Sequence, residues 1–173
     1  MTIDEYTNKL WPIRDRIFRL ARRLLVNEED AQDIVQDTYL KLWSAKTRLD
    51  EVSNMEAMAM TVTRNLCLDR LKSHNHKYTV YENSFPDSTS TTTTADNQIH
   101  LKDLQKNLSH LISQLPEQQR TVMHLRDVEG MEFDQISYIS GQSINAIRAN
   151  LSRARKKVRE TLEKIYEHEQ ALY

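Results

Sequence analysis

The chain has 173 residues, a formal net charge of −1, 39% hydrophobic residues, and only two glycines, three prolines and one cysteine. So few turn formers argue against sheets, hairpins and glycine-rich phosphate loops; the single Cys67 excludes an internal disulfide and fits a reducing cytoplasm. No run of about 18 uncharged apolar residues exists to span a membrane, and the polar, acidic N-terminus shows no signal-peptide pattern.

The predicted elements are all helical. The first runs from about Ile3 to Leu25, opened by Thr2 and Glu5 at capping-box spacing and broken or bent by Pro12. Its apolar stripe is Ile13, Ile17, Leu20, Leu24 and Leu25. Asn27 caps a second helix, Glu28 to about Lys46, with Ala31, Ile34, Val35, Thr38, Leu42 and Ala45 on its core face. Ser53 and Glu56 open a third, which continues to about Lys72. Residues 74–97 include the low-complexity run Ser84–Asp96, which has little to bury, and read as a flexible Ser/Thr-rich linker. The domain boundaries follow: 1–73, linker 74–97, and 98–173.

Beyond the linker, Leu101, Leu104, Leu108, Leu111, Ile112 and Leu115 form a helical stripe. Pro116 suits the first turn of the next helix, which ends at Gly130. Phe133, Ile136 and Ile139 mark a short helix closed by Gly141, and Ser143 caps a long last helix. That helix buries Ile144, Ile147, Leu151, Ala154, Val158 and Leu162. Helix, stop, short helix, tight turn and basic helix is the layout of a helix-turn-helix DNA reader. Glu132 stands where a Ser or Thr cap is expected, so the short helix should be weakly capped.

Charge is segregated along the chain. No basic residue lies between Arg23 and Lys41, where Glu28, Glu29, Asp30, Asp33 and Asp37 fall; no acid lies from Ser143 to Arg159, where six Arg and Lys residues fall. Such blocks are often only solvated faces, but two of opposite sign suggest two different partners. On the last helix the side opposite the core carries Asn145, Ala149, Ser152, Arg153 and Lys156, flanked by Arg148 and Arg155, with Ser143 at its start. Arg can read guanine, Asn adenine, and a small Ala permits approach to a thymine methyl. On the second helix, Asp33, Gln36 and Asp37 lie beside Leu40 and Trp43, which suits a basic protein partner; Trp43 could equally fold back onto the first helix. On the third, Met58, Thr61, Asn65, Asp69 and Lys72 form a narrow stripe, in which Asn65 is a candidate base reader or an internal hydrogen-bonding group.

On these motifs the chain resembles the extracytoplasmic-function (ECF) sigma factors, the small members of the sigma-70 family of bacterial RNA polymerase. Asp30–Trp43 is similar to the core-binding helix of sigma domain 2, Arg64–Lys72 to its −10 helix, and Leu115–Lys157 to sigma domain 4. The resemblance implies two small helical domains that direct promoter-specific initiation in the cytoplasm, associated with the nucleoid when in holoenzyme. It implies that Asp33, Gln36, Asp37, Leu40 and Trp43 dock on the β′ coiled coil of core RNA polymerase, with the β flap as a further contact. Leu49, Met58, Thr61, Asn65 and Lys72 would meet the −10 strand. Ser143, Asn145, Arg148, Ala149, Ser152, Arg153 and Lys156 would meet the −35 element. An anti-sigma factor is a further implied partner.

The chain departs from the family pattern at Met58, where Trp is usual, at Asn150, where Arg is common, and at Gln142, where an apolar turn residue is usual. An operator-binding helix-turn-helix regulator is the alternative reading. An enzyme is disfavoured: the six His residues lack His-Glu-x-x-His spacing, the lone Cys67 rules out a zinc site with two or more thiolates, and neither a metal, a cofactor nor a small-molecule substrate is expected.

Overall fold

The computed structural model describes residues 2–45, 52–78 and 106–170; side chains of 74–78 and 168–170 are outside the description. The expected linker beyond residue 78, together with Leu49, Leu101 and Leu104, lies outside the described residues.

Helix α1 (Ile3–Leu10) begins as expected, with the Thr2 hydroxyl and the Glu5 carboxylate each accepting from the other's backbone N–H. Pro12 sits in a 3-10 turn, Trp11–Ile13, that divides α1 from α2 (Arg14–Leu25). Val26 ends α2 at φ 60°, an unusual left-handed conformation for a β-branched residue. The Asn27 side chain then accepts from the N–H of Asp30 to open α3 (Glu28–Ser44), which stops before the anticipated Lys46. Helix α4 (Met55–Tyr78) is opened by Asn54, whose side-chain oxygen accepts from Ala57 N–H at 2.9 Å. This corrects the assignment of its cap to Ser53. It also runs past Lys72, so residues 74–78 continue a helix where linker was expected.

In the C-terminal half, a helix spans 106–113 (α5), and α6 (Glu117–Met123) passes into a π-helical turn, His124–Val128. Pro116 stands just before the first turn of α6. Gly130, at φ +69°, turns the chain into α7 (Phe133–Ser140). Gln135 reaches back to accept from the Glu132 N–H at 3.1 Å, so the start of α7 has a cap that the missing Ser or Thr had hidden. Gly141, also at φ +69°, ends α7, and α8 (Ile144–Gln170) follows with the Ser143 hydroxyl accepting from Ala146 N–H.

The two halves pack together. Ile17, Leu20, Leu24, Ile34, Leu42 and Met60 are joined in one continuous apolar cluster with Leu125, Ile136, Ile139 and Ile147. Helix α7 lies on α4, and α6 on α2. A smaller cluster of Ile112, Leu115, Ala154 and Val158 fastens α5 to α8. Burying one large aliphatic side chain contributes about 1.5–3 kcal/mol, so this shared core is a substantial part of the fold's stability. Among the described residues no helix is long and apolar enough to cross a membrane, and no group of acidic, His or Cys residues is placed to hold a metal ion.

Candidate nucleic-acid and protein interfaces

Helix α8 presents the basic face. Ile147, Leu151, Ala154 and Val158 are buried, with Ile144 and Leu162 half-buried, as the 3.6-residue period requires. Ser143, Asn145, Arg148, Ser152, Arg153 and Lys156 are exposed on the other side, with Ala149 half-buried among them. Arg148 also stands over the Phe133 ring, 5.3 Å from its centroid, which pre-positions its guanidinium at the α7 end of the face. Arg155 is held back, since Asp127 accepts two hydrogen bonds from it, one at 3.0 Å. The turn into α8 is fixed from within. Asn150, nearly buried, donates to the Gln142 side-chain oxygen at 2.7 Å, and Ser137 donates to the Gln142 carbonyl. Gln142 and Asn150 are thus a matched pair that locks this turn.

Helix α3 presents the acidic face. Asp33, Gln36, Asp37 and Leu40 are exposed, Leu40 at 67%. Trp43 is half-buried, and its ring packs edge-on against Tyr6, centroids 5.0 Å apart. The reading in which Trp43 folds back onto the first helix therefore holds, leaving it only partly available to a partner. Arg70 of α4 leans over this face, 2.7 Å from Asp30 and 3.9 Å from both Asp33 and Asp37. Burial pushes the Tyr6 hydroxyl up to about 12, so it stays a neutral donor, here to the Tyr39 carbonyl.

The stripe on α4 is divided. Asn65 and Lys72 are exposed. Thr61 is half-buried and spends its hydroxyl on the Ala57 carbonyl at 2.7 Å. Met58 lies beneath α7, its sulfur 3.9 Å from the Tyr138 hydroxyl. The Cys67 thiol, wholly buried and pushed up to about 12 by that burial, has no thiolate character at neutral pH.

One polar cluster was not legible in the sequence. Glu129 stands just before the helix-ending Gly130 with nothing local to mark it, and its side chain is 1% exposed. Arg19 of α2 donates to both of its carboxylate oxygens at 2.8 Å, Arg16 approaches at 3.4 Å, and the buried His124 ring at 3.3 Å. Burial alone would push this carboxyl up. The contacts from His124 and Arg19 outweigh it and hold Glu129 at about 2, so it is ionised. Burial lowers the His124 pKa, and the Glu129 carboxylate beside it works in the opposite direction. With Arg64–Glu117, 3.1 Å apart, this cluster ties the N-terminal half to the C-terminal half.

Two family models match the chain: sigma-70 region 2 over residues 13–77, and sigma-70 region 4 over residues 105–158. Relatives include the ECF RNA polymerase sigma factor SigE of Mycolicibacterium smegmatis, 27% identical, covering 87% of this chain and 58% of that protein. The RNA polymerase sigma factor SigV of Bacillus subtilis is 26% identical, covering 85% and 84%. The chain thus spans little more than half of the first relative's length and most of the second's. The sigma factor RpoE of Bartonella quintana, solved with the anti-sigma factor NepR, shares the fold at a TM-score of 0.71 and 22% identity, over 93% of this chain and 98% of that one. With region 2 in the half that carries the acidic face of α3 and region 4 in the half that carries the basic face of α8, the chain belongs to the sigma-70 family, and its relatives include ECF members.

Proposed function

We propose that this chain is a non-catalytic specificity subunit of RNA polymerase that directs initiation at particular promoters, with residues 1–73 and 98–173 as its two working domains joined by 74–97. Its acidic α3, through Asp33, Gln36, Asp37, Leu40 and the accessible edge of Trp43, docks on the basic β′ coiled coil of core polymerase. Leu49, Thr61, Asn65 and Lys72 meet the −10 strand, and Met58 joins them once α7 has moved off it. Arg148, Arg153, Asn145 and Ser152 read the −35 duplex, while Ser143, Ala149 and Lys156 bear on its backbone or bases. The β flap holds the second domain, and the protein works in the cytoplasm, on nucleoid DNA, under the control of an anti-sigma factor.

The observation that carries this reading is the joint occurrence in one chain of an exposed acidic face on α3 and an exposed Asn/Arg face on α8. A DNA reader alone needs only the second. Charge complementarity steers the first toward a basic protein and keeps free chain from binding DNA indiscriminately. The test is in vitro transcription with core polymerase on genomic fragments, combined with co-purification. A one-to-one complex and defined start sites are expected. Tight dimeric operator binding without a polymerase complex would overturn the reading.

A further inference from the structure

A basic cavity of about 550 Å³ opens where the two halves meet. Arg19, Arg22 and Arg23 line it from the end of α2, Leu108 from α5, and His124 and Val128 from the π-helical turn. Its volume falls in the range of small-molecule sites, about 300–1,000 Å³. The strained Val26 stands at the same wall, 63% exposed.

The charge here is unbalanced. Arg19 is committed to Glu129, but among the described residues Arg22 has only the exposed Glu28, at 3.9 Å. Arg23 is half-buried, and its pKa is lowered by burial and by repulsion from Arg120 and Arg22, with no carboxylate among the described residues to offset them. Arg120 is likewise lowered by burial, which Glu117 only partly opposes. The carbonyl end of α2 carries about half a negative charge, which one guanidinium balances; the remaining positive charge exceeds it. The His124 ring, whose side chain is 2% exposed, has its Nδ1 buried without a hydrogen-bond partner. Planar guanidinium forks fit phosphate oxygens two at a time. Val26, Leu108 and Val128 offer an apolar surface beside them.

The geometry points to a ligand site in this cavity for an organic diphosphate, held at its phosphates by Arg22 and Arg23 and at its body by Leu108, Val26 and Val128. Because the walls come from both halves, such a ligand bridges α2 to α5 and the π-helical turn and favours the arrangement in which α7 covers Met58. The ligand is a regulator rather than a substrate.

Calorimetric titration of the full chain with inorganic pyrophosphate and with adenosine diphosphate tests this. Saturable one-to-one binding is expected, weakened at least tenfold by Arg23→Gln and by Arg22→Gln, and changed less than twofold by Arg148→Gln with Arg153→Gln. Arg22 is exposed, so its variant folds even if Arg23→Gln does not; circular dichroism checks both. Adenosine diphosphate should bind more tightly than pyrophosphate, because only it reaches the apolar wall. The proposal is overturned if neither anion binds at millimolar concentration, or if the α8 variant and not the α2 variants abolishes binding. It is also overturned if a Glu-rich helical peptide binds through Arg22 and Arg23 while both phosphates fail, which would make the cavity a protein-docking surface.

Discussion

Replacing Glu129 by Gln keeps the shape of the side chain and removes its charge. In the native chain two hydrogen bonds of 2.8 Å reach this carboxylate from Arg19, while Arg16 and His124 stand within 3.4 Å. Hydrogen bonds to charged groups contribute about 1.5–3 kcal/mol each. Arg19 is 46% exposed, so water recovers much of its charge when the partner is lost, and a total cost of about 2 kcal/mol is expected. A double-mutant cycle with Arg19→Gln, read by urea unfolding of the full chain, should give a coupling of at least about 1 kcal/mol between the two positions. The pH dependence has a definite sign. A carboxyl held down at about 2 contributes stability that is present above its ordinary value of 4.5 and lost as pH falls from there toward 2. The gap between native and Glu129→Gln chains should therefore narrow through that window. Additive effects, with a coupling under about 0.5 kcal/mol, would refute the idea that this cluster ties the halves together.

On α8, Arg148→Ala or Arg153→Ala should weaken −35-dependent promoter binding by about 1–3 kcal/mol per lost base contact, leaving core polymerase affinity unchanged in a co-purification assay. On α3, Asp37→Arg or Leu40→Ala should lower core affinity while the isolated chain melts close to the native temperature, since both side chains are exposed. Removing the turn lock by Asn150→Leu leaves the Gln142 oxygen without its donor and should cost about 1–2 kcal/mol in a thermal melt. Gly141→Ala meets no atom within 4 Å of the added Cβ, so its cost of about 1 kcal/mol should come from the backbone alone, at φ +69°.

What sequence alone conveyed was local or repetitive. The buried stripe of α8, the capping box of Thr2 and Glu5, the break at Pro12 and the turn at Gly141 each depend on residues within one or two turns of each other. The acidic and basic faces followed from the same period. Where a local signal had a near neighbour of equal quality, as with Ser53 beside Asn54, the choice fell wrongly, because either side chain can accept from the first turn. The reach of α4 past Lys72 was hidden by polar residues that carry no apolar period.

The arrangement of the halves was beyond any such signal. Glu129 and Arg19 are 110 residues apart, and nothing around either announces the other. Isolated from its partners, Glu129 would be a surface acid; three basic neighbours brought by α2 and the π-helical turn make it a buried anion. The same packing seats Met58 under Tyr138, turns Trp43 against Tyr6, and leaves three arginines around one cavity. Helical period and capping are set by neighbours along the chain, so the sequence determined the helices, their faces and their family. Burial and charge compensation depend on what each face meets across space, and only the tertiary structure decided those.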